Sequence, residues 1–328
     1  MLYEYAILPD VFRAVLLEKR PSACRDLKRL LRGLCEENGI LADLHNGYWH
    51  AFITEKLLPQ LPSTTRSDIL AGLNNLKDRN RLVCRPTYGE EPPTAYADWL
   101  YAALEAAQRN TLRGIVLSQD LINKYSLPNP LFMEIAEALD SPLWTDRQRT
   151  PNVDTSVQGY RAALFPILKY ARTIDIIDPY INCEKERFRQ FVELCVHLLG
   201  SQRATKTTSR ISIHAGEPYE RNCPESERPY WIEQCLKEWK DFLSVLVKTN
   251  SKLRFRVFLW SDRDTSMLFH ERYLLTDQCG IFIGLGHDVR AGNITTWSLL
   301  DETQRVHQFG RFQLEHSPFK PLAQPLIL

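Results

Sequence analysis

The stretch from His270 to Gly284 limits the folds open to this chain more than any other. Tyr273 to Thr276 is apolar enough for a buried strand, Gln278 to Gly280 has the composition of a turn, and Ile281 to Ile283 is a second short apolar run. Two apolar runs joined by a three-residue turn that contains glycine predict a β-hairpin. We therefore expect a sheet that includes this hairpin.

Two side chains at the start of the hairpin indicate phosphate chemistry. His270 and Arg272 are two residues apart, and residues two apart on a strand point to the same face. A guanidinium group binds phosphate through a planar fork, and an imidazole attacks phosphorus or transfers a proton. The pair predicts a site for an anionic oxygen. The alternative is an ordinary hairpin with a buried His–Asp hydrogen bond.

The spacing His-x-Arg-x4-Asp, with a glycine seven residues after the aspartate, resembles the phospholipase D superfamily. That family carries His-x-Lys-x4-Asp followed by Gly-Ser-x-Asn. His270 matches the nucleophile of that motif, Arg272 the phosphate-binding lysine, Asp277 the aspartate and Gly284 the glycine. The resemblance implies a phosphodiesterase whose chemistry needs no metal at this site.

The chain departs from the family motif at three positions. Arg272 replaces lysine, and Leu285 and His287 stand where serine and asparagine are usual. The positive charge that binds phosphate is kept, but the Gly-Ser-x-Asn segment that helps to position the phosphate is not. The His-x-Arg form is more similar to the phospholipase-D-like domain at the C-terminus of MIT proteins, which binds ligands. The resemblance therefore leaves open a module that binds phosphate without hydrolysing it.

Length and composition predict a globular protein of two domains. The chain has 328 residues, 44% of them hydrophobic and 25% charged, and domains usually take one to two hundred residues. The net charge of +1 gives no overall basic field, so a nucleic-acid surface would have to be a local patch. The eight cysteines form no C-x-x-C pair, which favours reduced thiols. With no apolar run of spanning length and no signal-peptide pattern, we expect a cytoplasmic protein.

The first 145 residues predict a helix-rich α/β domain. We expect strands at 3–8, 81–85 and 112–118, and helices at 22–37, 51–60, 66–78, 96–107 and 132–139. Residues 141–160 are rich in Pro, Thr, Asp and Arg and are the best candidate for a linker.

Three aspartates in this first domain fall at strand ends or at a helix start: Asp10, Asp98 and Asp120. This order of strands, helices and aspartates resembles the PIN family of metal-dependent nucleases. The resemblance implies that the three carboxylates converge on Mg²⁺ or Mn²⁺, ions that prefer oxygen ligands. A fourth ligand could come from one of three other acids, Glu36, Glu37 or Asp43. A degenerate PIN-like scaffold and an unrelated α/β domain remain alternatives.

Residues 155–328 predict a second α/β domain. We expect helices at 160–171, 184–199 and 229–247, strands at 174–177, 210–214, 253–259 and 295–298, an uncertain strand at 307–312, and a surface-bound or frayed Pro-rich end. This order resembles one half of a phospholipase D αβα sandwich, and the Ile-Asp-Pro-Tyr strand end resembles the family's opening strand. Asp178 and Tyr180 would then face the crevice beside His270.

The implied mechanism needs two histidines, one as nucleophile and one as general acid. No other histidine is followed by a basic residue two positions later and an aspartate seven later, so one chain carries half a site and catalysis implies a homodimer. His287 is a local candidate for the acid, or else a loop histidine.

We therefore expect a phosphodiesterase acting on nucleic acid, with Arg254 and Arg256 also binding the substrate, in a setting such as prokaryotic defence or a mobile element. The alternative is a degenerate module that binds nucleic acid, a phospholipid headgroup or a partner protein.

Overall fold

The computed structural model describes residues 2–18, 21–37, 39–85, 93–109, 112–125, 129–146, 149–203 and 207–328. The chain divides into two compact units. The first comprises Met1–Gln148 with Gln202–Ala204, and the second comprises Arg149–Ser201 with Thr205–Leu328. Both units are α/β. Within the described ranges, no helix combines the length and the apolar composition that crossing a bilayer requires.

The first unit is built on a five-stranded parallel sheet in the order β3-β2-β1-β4-β5. Its strands are β1 (Tyr3–Ile7), β2 (Gly39–Asp43), β3 (Leu82–Cys84), β4 (Gly114–Leu117) and β5 (Phe132–Glu134). Its helices are α1 (Pro9–Glu18), α2 (Pro21–Glu36), α3 (Tyr48–Phe52), α4 (Ser63–Asp78), α5 (Tyr96–Gln108), α6 (Gln119–Tyr125) and α7 (Pro142–Thr145), with a π-helical turn (Ile53–Leu57) and a 3-10 turn (Leu58–Gln60) after α3. Because every strand pair is parallel, all the carboxyl ends lie at one edge of the sheet.

The second unit is built on a nine-stranded mixed sheet in the order β13-β9-β8-β7-β10-β11-β12-β6, with β14 also paired to β9. Its strands are β6 (Asn152–Asp154), β7 (Thr173–Ile177), β8 (Ser209–Ala215), β9 (Leu253–Ser261), β10 (Tyr273–Thr276), β11 (Gly280–Ile283), β12 (Ile294–Leu299), β13 (Lys320–Pro321) and β14 (Leu326–Ile327). Its helices are α8 (Val157–Leu168), α9 (Glu186–Leu198), α10 (Arg228–Thr249) and α11 (Glu302–Arg311). Strands β7, β8 and β9 are parallel, and the hairpin strands β10 and β11 are antiparallel.

The pairing of β10 with β7 determines where the hairpin begins. The two strands are antiparallel, with Tyr273 opposite Ile177 and Thr276 opposite Ile174. The residues that precede Tyr273 therefore lie beyond the carboxyl end of β7, where the chain continues into Asp178. This register brings the segment 270–272 next to the segment 178–180.

An aromatic cluster covers one face of the second sheet near the same end. Trp260 on β9 and Tyr273 on β10 are buried there with Phe312 and Phe319 from the C-terminal segment. Burial of apolar side chains on this scale contributes about 1.5 to 3 kcal/mol for each large residue. The C-terminal segment thus helps to hold the sheet. Of the two alternatives expected for the Pro-rich end, it is bound rather than frayed, because β13 and β14 both pair with β9.

Two other predicted elements have a different secondary structure. The segment 132–139 was expected to be helical, but β5 pairs with β4. The uncertain strand at 307–312 belongs to α11, whose start is fixed by a capping box in which Asp301 accepts from the Gln304 amide and Gln304 returns a bond to the Asp301 amide. The proposed linker contains α7 and β6, and β6 joins the second sheet. In each case strand pairing or helix capping outweighs the intrinsic secondary-structure propensity of the residues.

Candidate functional site

The candidate site of the second unit lies at the carboxyl end of β7. The Tyr180 hydroxyl and His270 Nδ1 are 2.9 Å apart. The guanidinium carbon of Arg272 lies 4.9 Å from the centroid of the same tyrosine ring. Tyr180 and His270 are exposed, and Arg272 is partly exposed. The imidazole and the guanidinium group are therefore brought together by one tyrosine, although both residues precede the strand that was predicted to carry them.

The contact with Tyr180 defines what His270 can do. When Nδ1 donates its proton to the tyrosine oxygen, Nε2 carries the lone pair that a nucleophile or general base requires. An exposed imidazole held at one nitrogen is suited to in-line attack on an incoming phosphorus atom. The neighbouring guanidinium group supplies the positive charge for the non-bridging oxygens.

Asp178 is the carboxylate that organises the site. It is 1% exposed, and Oδ1 accepts a hydrogen bond from the Tyr180 amide at 2.9 Å and lies 3.6 Å from Nε of Arg272. Oδ2 lies 3.2 Å from the His287 amide nitrogen and 3.1 Å from His287 Nδ1. Burial by itself would raise the pKa of Asp178, but hydrogen bonding and the nearby charges of His287 and Arg272 hold it below its ordinary value. The ionised carboxylate thus positions both Arg272 and Tyr180.

His287 is a positioning residue and cannot touch a ligand in this arrangement. Its side chain is fully buried, with its ring 4.9 Å from the ring of Phe191. Nε2 has no hydrogen-bond partner among the described residues. The prediction that His287 binds substrate or acts as the general acid is therefore corrected: it holds Asp178 from below the surface.

A glycine allows the segment after β11 to pass close to the site. Gly286 has a φ of +96°, and a Cβ atom there would lie 3.0 Å from Asp178 Oδ2 and 3.1 Å from Arg272 Cδ. Its carbonyl accepts a hydrogen bond from the Tyr160 hydroxyl, and Gly284 accepts one from Arg272 Nη1 at 3.3 Å. Sequence reasoning missed Gly286 and Tyr160. The Gly-Leu-Gly pattern at 284–286 was the available signal.

Asp277 lies away from this site. It follows the carboxyl end of β10 and accepts hydrogen bonds at Oδ1 from the amides of Arg172 and Thr173. Five residues of extended chain separate it from Arg272, which corresponds to about 17 Å. The predicted role of Asp277 in orienting and charging the phosphate site is therefore corrected, and Asp178 supplies the carboxylate instead.

Replacing Asp277 with asparagine should leave ligand binding at His270 unchanged. Burial raises the pKa of Asp277, so ionisation of its carboxyl destabilises the fold as pH rises from the ordinary pKa to the raised folded-state pKa, and by a constant amount above that. We therefore expect Asp277→Asn to keep or increase the free energy of unfolding at neutral pH, because the amide oxygen can still accept the two main-chain hydrogen bonds. Urea unfolding at about pH 5 and about pH 8 measures this. If Asp277→Asn instead loses phosphodiester binding, Asp277 does contribute to the site.

The two arginines predicted to bind substrate also lie at the other end of the parallel strands. Arg254 on β9 is opposite Arg210 on β8, which is opposite Thr173 at the start of β7. Arg256 is two residues further along β9. Arg254 is level with Thr173, five residues or about 16 Å along the strand from Asp178. Arg256 is level with Asp175, three residues or about 10 Å from Asp178. Arg254 and Arg256 thus do not line the site at His270, and their predicted role in binding the substrate stays a prediction for a separate surface.

A cleft of about 920 Å³ adjoins the candidate site, with Tyr180 in its wall. It lies between the segment after β7, the segment after β8 and the first turns of α10. Its charged side chains are mostly acidic: Glu184, Glu217, Glu220, Glu227 and Glu238, together with Lys185. Arg263 neutralises Glu217. The remaining carboxylates repel a polyanion, so this cleft is not the path of a nucleic-acid chain.

The aspartates of the first unit make separate local contacts. Asp10 is buried, its Oδ2 accepts a hydrogen bond from the Ser118 amide at 2.8 Å, and burial raises its pKa. Asp98 accepts from the amides of Ala95 and Thr94 at the start of α5, and these bonds lower its pKa. Asp120 is exposed in the first turn of α6.

The candidate fourth ligands of the first unit also have structural contacts. Asp43 accepts from the amides of His45 and His50, and Glu37 accepts from the Trp144 indole, while Glu36 is exposed. Among the described residues, no group of three or more His, Cys, Asp or Glu is arranged to hold a metal ion. The site for Mg²⁺ or Mn²⁺ stays a prediction, with Asp10 the candidate whose Oδ1 is buried without a hydrogen-bond partner.

Comparison with known proteins adds no assignment. No model of a known protein family matches the sequence, and no curated protein is significantly similar to it. Among the solved structures that match is TrmBL2, an archaeal chromatin protein described with a mode of DNA binding. The match has 17% identity, covers 76% of this chain and 79% of that chain, and has a TM-score of 0.24. A TM-score this low supports no argument about fold or function.

Proposed function

We propose that the second unit is a phospholipase-D-like domain that binds a phosphodiester of nucleic acid between His270 and Arg272 and hydrolyses it. The observation that carries the proposal is the shared contact with Tyr180, which places the exposed imidazole and the guanidinium group together. A buried carboxylate, Asp178, helps to fix Arg272. The site is exposed rather than enclosed, which suits the backbone of a polymer.

The proposed reaction has two steps. His270 Nε2 attacks phosphorus, the bond to the leaving oxygen breaks, and that oxygen takes a proton from a second imidazolium. Water then attacks the phosphohistidine, gives its proton to the same second imidazole, and releases His270 with the phosphate product. Arg272 binds the non-bridging oxygens in both steps.

Within the proposal, the second imidazole comes from another chain. His287 is fully buried, so within the proposal the acid is His270 of a second copy across a two-fold axis. The proposal thus includes a homodimer in which two half-sites face one another.

A second candidate function is favoured by the burial of His287. If no second imidazole reaches the site, His270 and Arg272 still form a cationic pocket for a phosphate group. The second unit would then be a binding module for a nucleic-acid end or another phosphate-bearing ligand, and hydrolysis would be absent.

The test is cleavage of a labelled oligonucleotide by the full-length protein in EDTA. We expect His270→Ala to lower the rate by at least about a thousandfold, since the nucleophile is removed, and to abolish covalent labelling of the protein by the phosphate. His316 is exposed, so His316→Ala is the matched control and should cleave like the unchanged protein.

The same experiment separates the two candidates. Cleavage that survives His270→Ala contradicts the nuclease proposal. An inactive protein that binds bis(p-nitrophenyl) phosphate, and loses this binding in Arg272→Ala, supports the binding module. A protein that neither cleaves nor binds contradicts both.

A further inference from the structure

Three arginines form a row on one face of the second sheet, near the amino ends of its parallel strands. Arg210 on β8 is directly opposite Arg254 on β9, and Arg256 follows two residues later. In-register neighbours and residues two apart share a face of a sheet. Their Cα atoms are about 5 to 7 Å apart. Arg254 and Arg256 are exposed and Arg210 is half-buried.

The carboxylate nearest to this row along the sheet, that of Asp175 on β7, is buried on the same face and contacts His214 instead. None of the three guanidinium groups forms an ion pair within the described ranges. Arg254 Nη1 donates only to the main-chain oxygens of Ser251 and Leu253, at 2.8 and 2.9 Å. Nε of Arg210 is buried without a hydrogen-bond partner. Like charges on directly opposite strand positions destabilise a sheet, so the arrangement is costly for folding alone.

The row differs from the other arginines of this unit whose contacts are known. Arg263 is paired with Glu217, Arg305 with Glu302, and Arg311 with Glu271. In each of these three pairs a carboxylate of the fold balances the charge of the guanidinium group. The positive charge of Arg210, Arg254 and Arg256 is instead available to an external anion.

We propose that this arginine row binds the phosphate backbone of nucleic acid without reading its sequence. Guanidinium forks match phosphate oxygens in two-point contacts, and a nucleic-acid duplex offers one charge per about 1.7 Å of its axis. Three closely spaced arginines on a flat sheet face suit such a repeating polyanion. The surface lies about 10 to 16 Å from the site at His270, and it binds whether or not His270 is catalytic.

The test is the salt dependence of duplex DNA binding by the full-length protein, measured by fluorescence anisotropy. Each lost phosphate contact lowers the slope of log K against log salt by about 0.9. The double variant Arg254→Gln/Arg256→Gln should lower it by about 1.8. The loss of affinity between about 50 and 200 mM salt should then shrink about tenfold.

Matched variants distinguish this surface from the rest of the molecule. Arg161 is an exposed arginine on α8, so Arg161→Gln should bind DNA like the unchanged protein. Arg210 is left unchanged in these variants, because replacing a half-buried side chain could also alter the fold. His270→Ala should retain the DNA-binding slope even if it stops cleavage, so a failure of the proposed hydrolysis leaves this result intact.

Three results would overturn the inference. The first is a double variant that binds DNA with the unchanged slope. The second is an Arg161→Gln variant that loses as much as the double variant. The third is an unchanged protein that ignores DNA but binds polyglutamate or phosphatidylserine vesicles through Arg254 and Arg256, which would assign the row to an acidic protein or a membrane surface.

Discussion

Replacing Asp178 with asparagine is expected to lower the free energy of unfolding of the second unit by about 1 to 3 kcal/mol, the usual cost of leaving a buried polar group without its hydrogen-bond partner. Both carboxylate oxygens face donors: the Tyr180 amide and Arg272 Nε at Oδ1, and the amide and Nδ1 of His287 at Oδ2. An amide side chain places a donor at one of these positions in either orientation. Asparagine therefore cannot replace the carboxylate, although it has the same shape.

The effect of Asp178→Asn should depend on pH in a defined direction. The folded-state pKa of Asp178 lies below its ordinary value of 3.8. The stability that its charge contributes is therefore fully present above about pH 4 and is lost as pH falls through the lower folded-state pKa. The unchanged protein and the variant should differ by a constant amount between about pH 6 and 8, and the difference should shrink in stronger acid.

Hydrogen exchange of the amides in β7 and β10, measured in the full-length chain, reports the unfolding of this unit. Asp277→Asn is the matched control, because it makes the same chemical change at a half-buried aspartate. There, the single atom Oδ1 accepts the hydrogen bonds from the Arg172 and Thr173 amides, and an asparagine oxygen can replace it. If Asp178→Asn is tolerated as well as Asp277→Asn, the proposed central role of Asp178 is wrong.

The hairpin was predictable because its signals are local. Tyr273–Thr276 is the strand that the apolar run predicted. Tyr180 contacts His270, and Asp178 contacts Arg272. The strand β2 was missed, because Gly39–Asp43 is fully buried and a short continuous apolar run has no periodicity that separates strand from helix. Local pattern therefore identified the hairpin from its turn residues, but it gave no basis for separating β2 from the helix that precedes it.

The roles of individual site residues were harder to predict than the elements. Motif spacing placed Asp277 in the site, but a strand carries position 277 away from position 272 by its own length. The carboxylate of the site comes from a residue about ninety positions earlier, Asp178, through the antiparallel pairing of β7 and β10. Burial of His287 likewise depends on Phe191, which lies on α9. Such long-range contacts are not encoded in the spacing of a motif.

The largest effect on the site without a change of charge is expected from Gly286→Ala. The backbone there has a φ of +96°, and the added Cβ would meet Asp178 Oδ2 at 3.0 Å and Arg272 Cδ at 3.1 Å. The strained φ costs about 1 to 3 kcal/mol, and the crowding costs about 1 to 3 kcal/mol more. Because the crowded atoms belong to the site, we expect affinity for bis(p-nitrophenyl) phosphate to fall about tenfold, which is about 1.4 kcal/mol.

The chain contains a matched control for this prediction. Gly292 has a φ of +83°, and a Cβ atom there would meet nothing within 4 Å. Gly292→Ala therefore carries the backbone strain without the crowding, and it should reduce stability but leave phosphodiester binding unchanged. The difference between the two variants isolates the contact with Asp178 and Arg272. Equal effects on binding would mean that Gly286 acts only through its backbone conformation, and that the close approach to Arg272 does not shape the phosphate site.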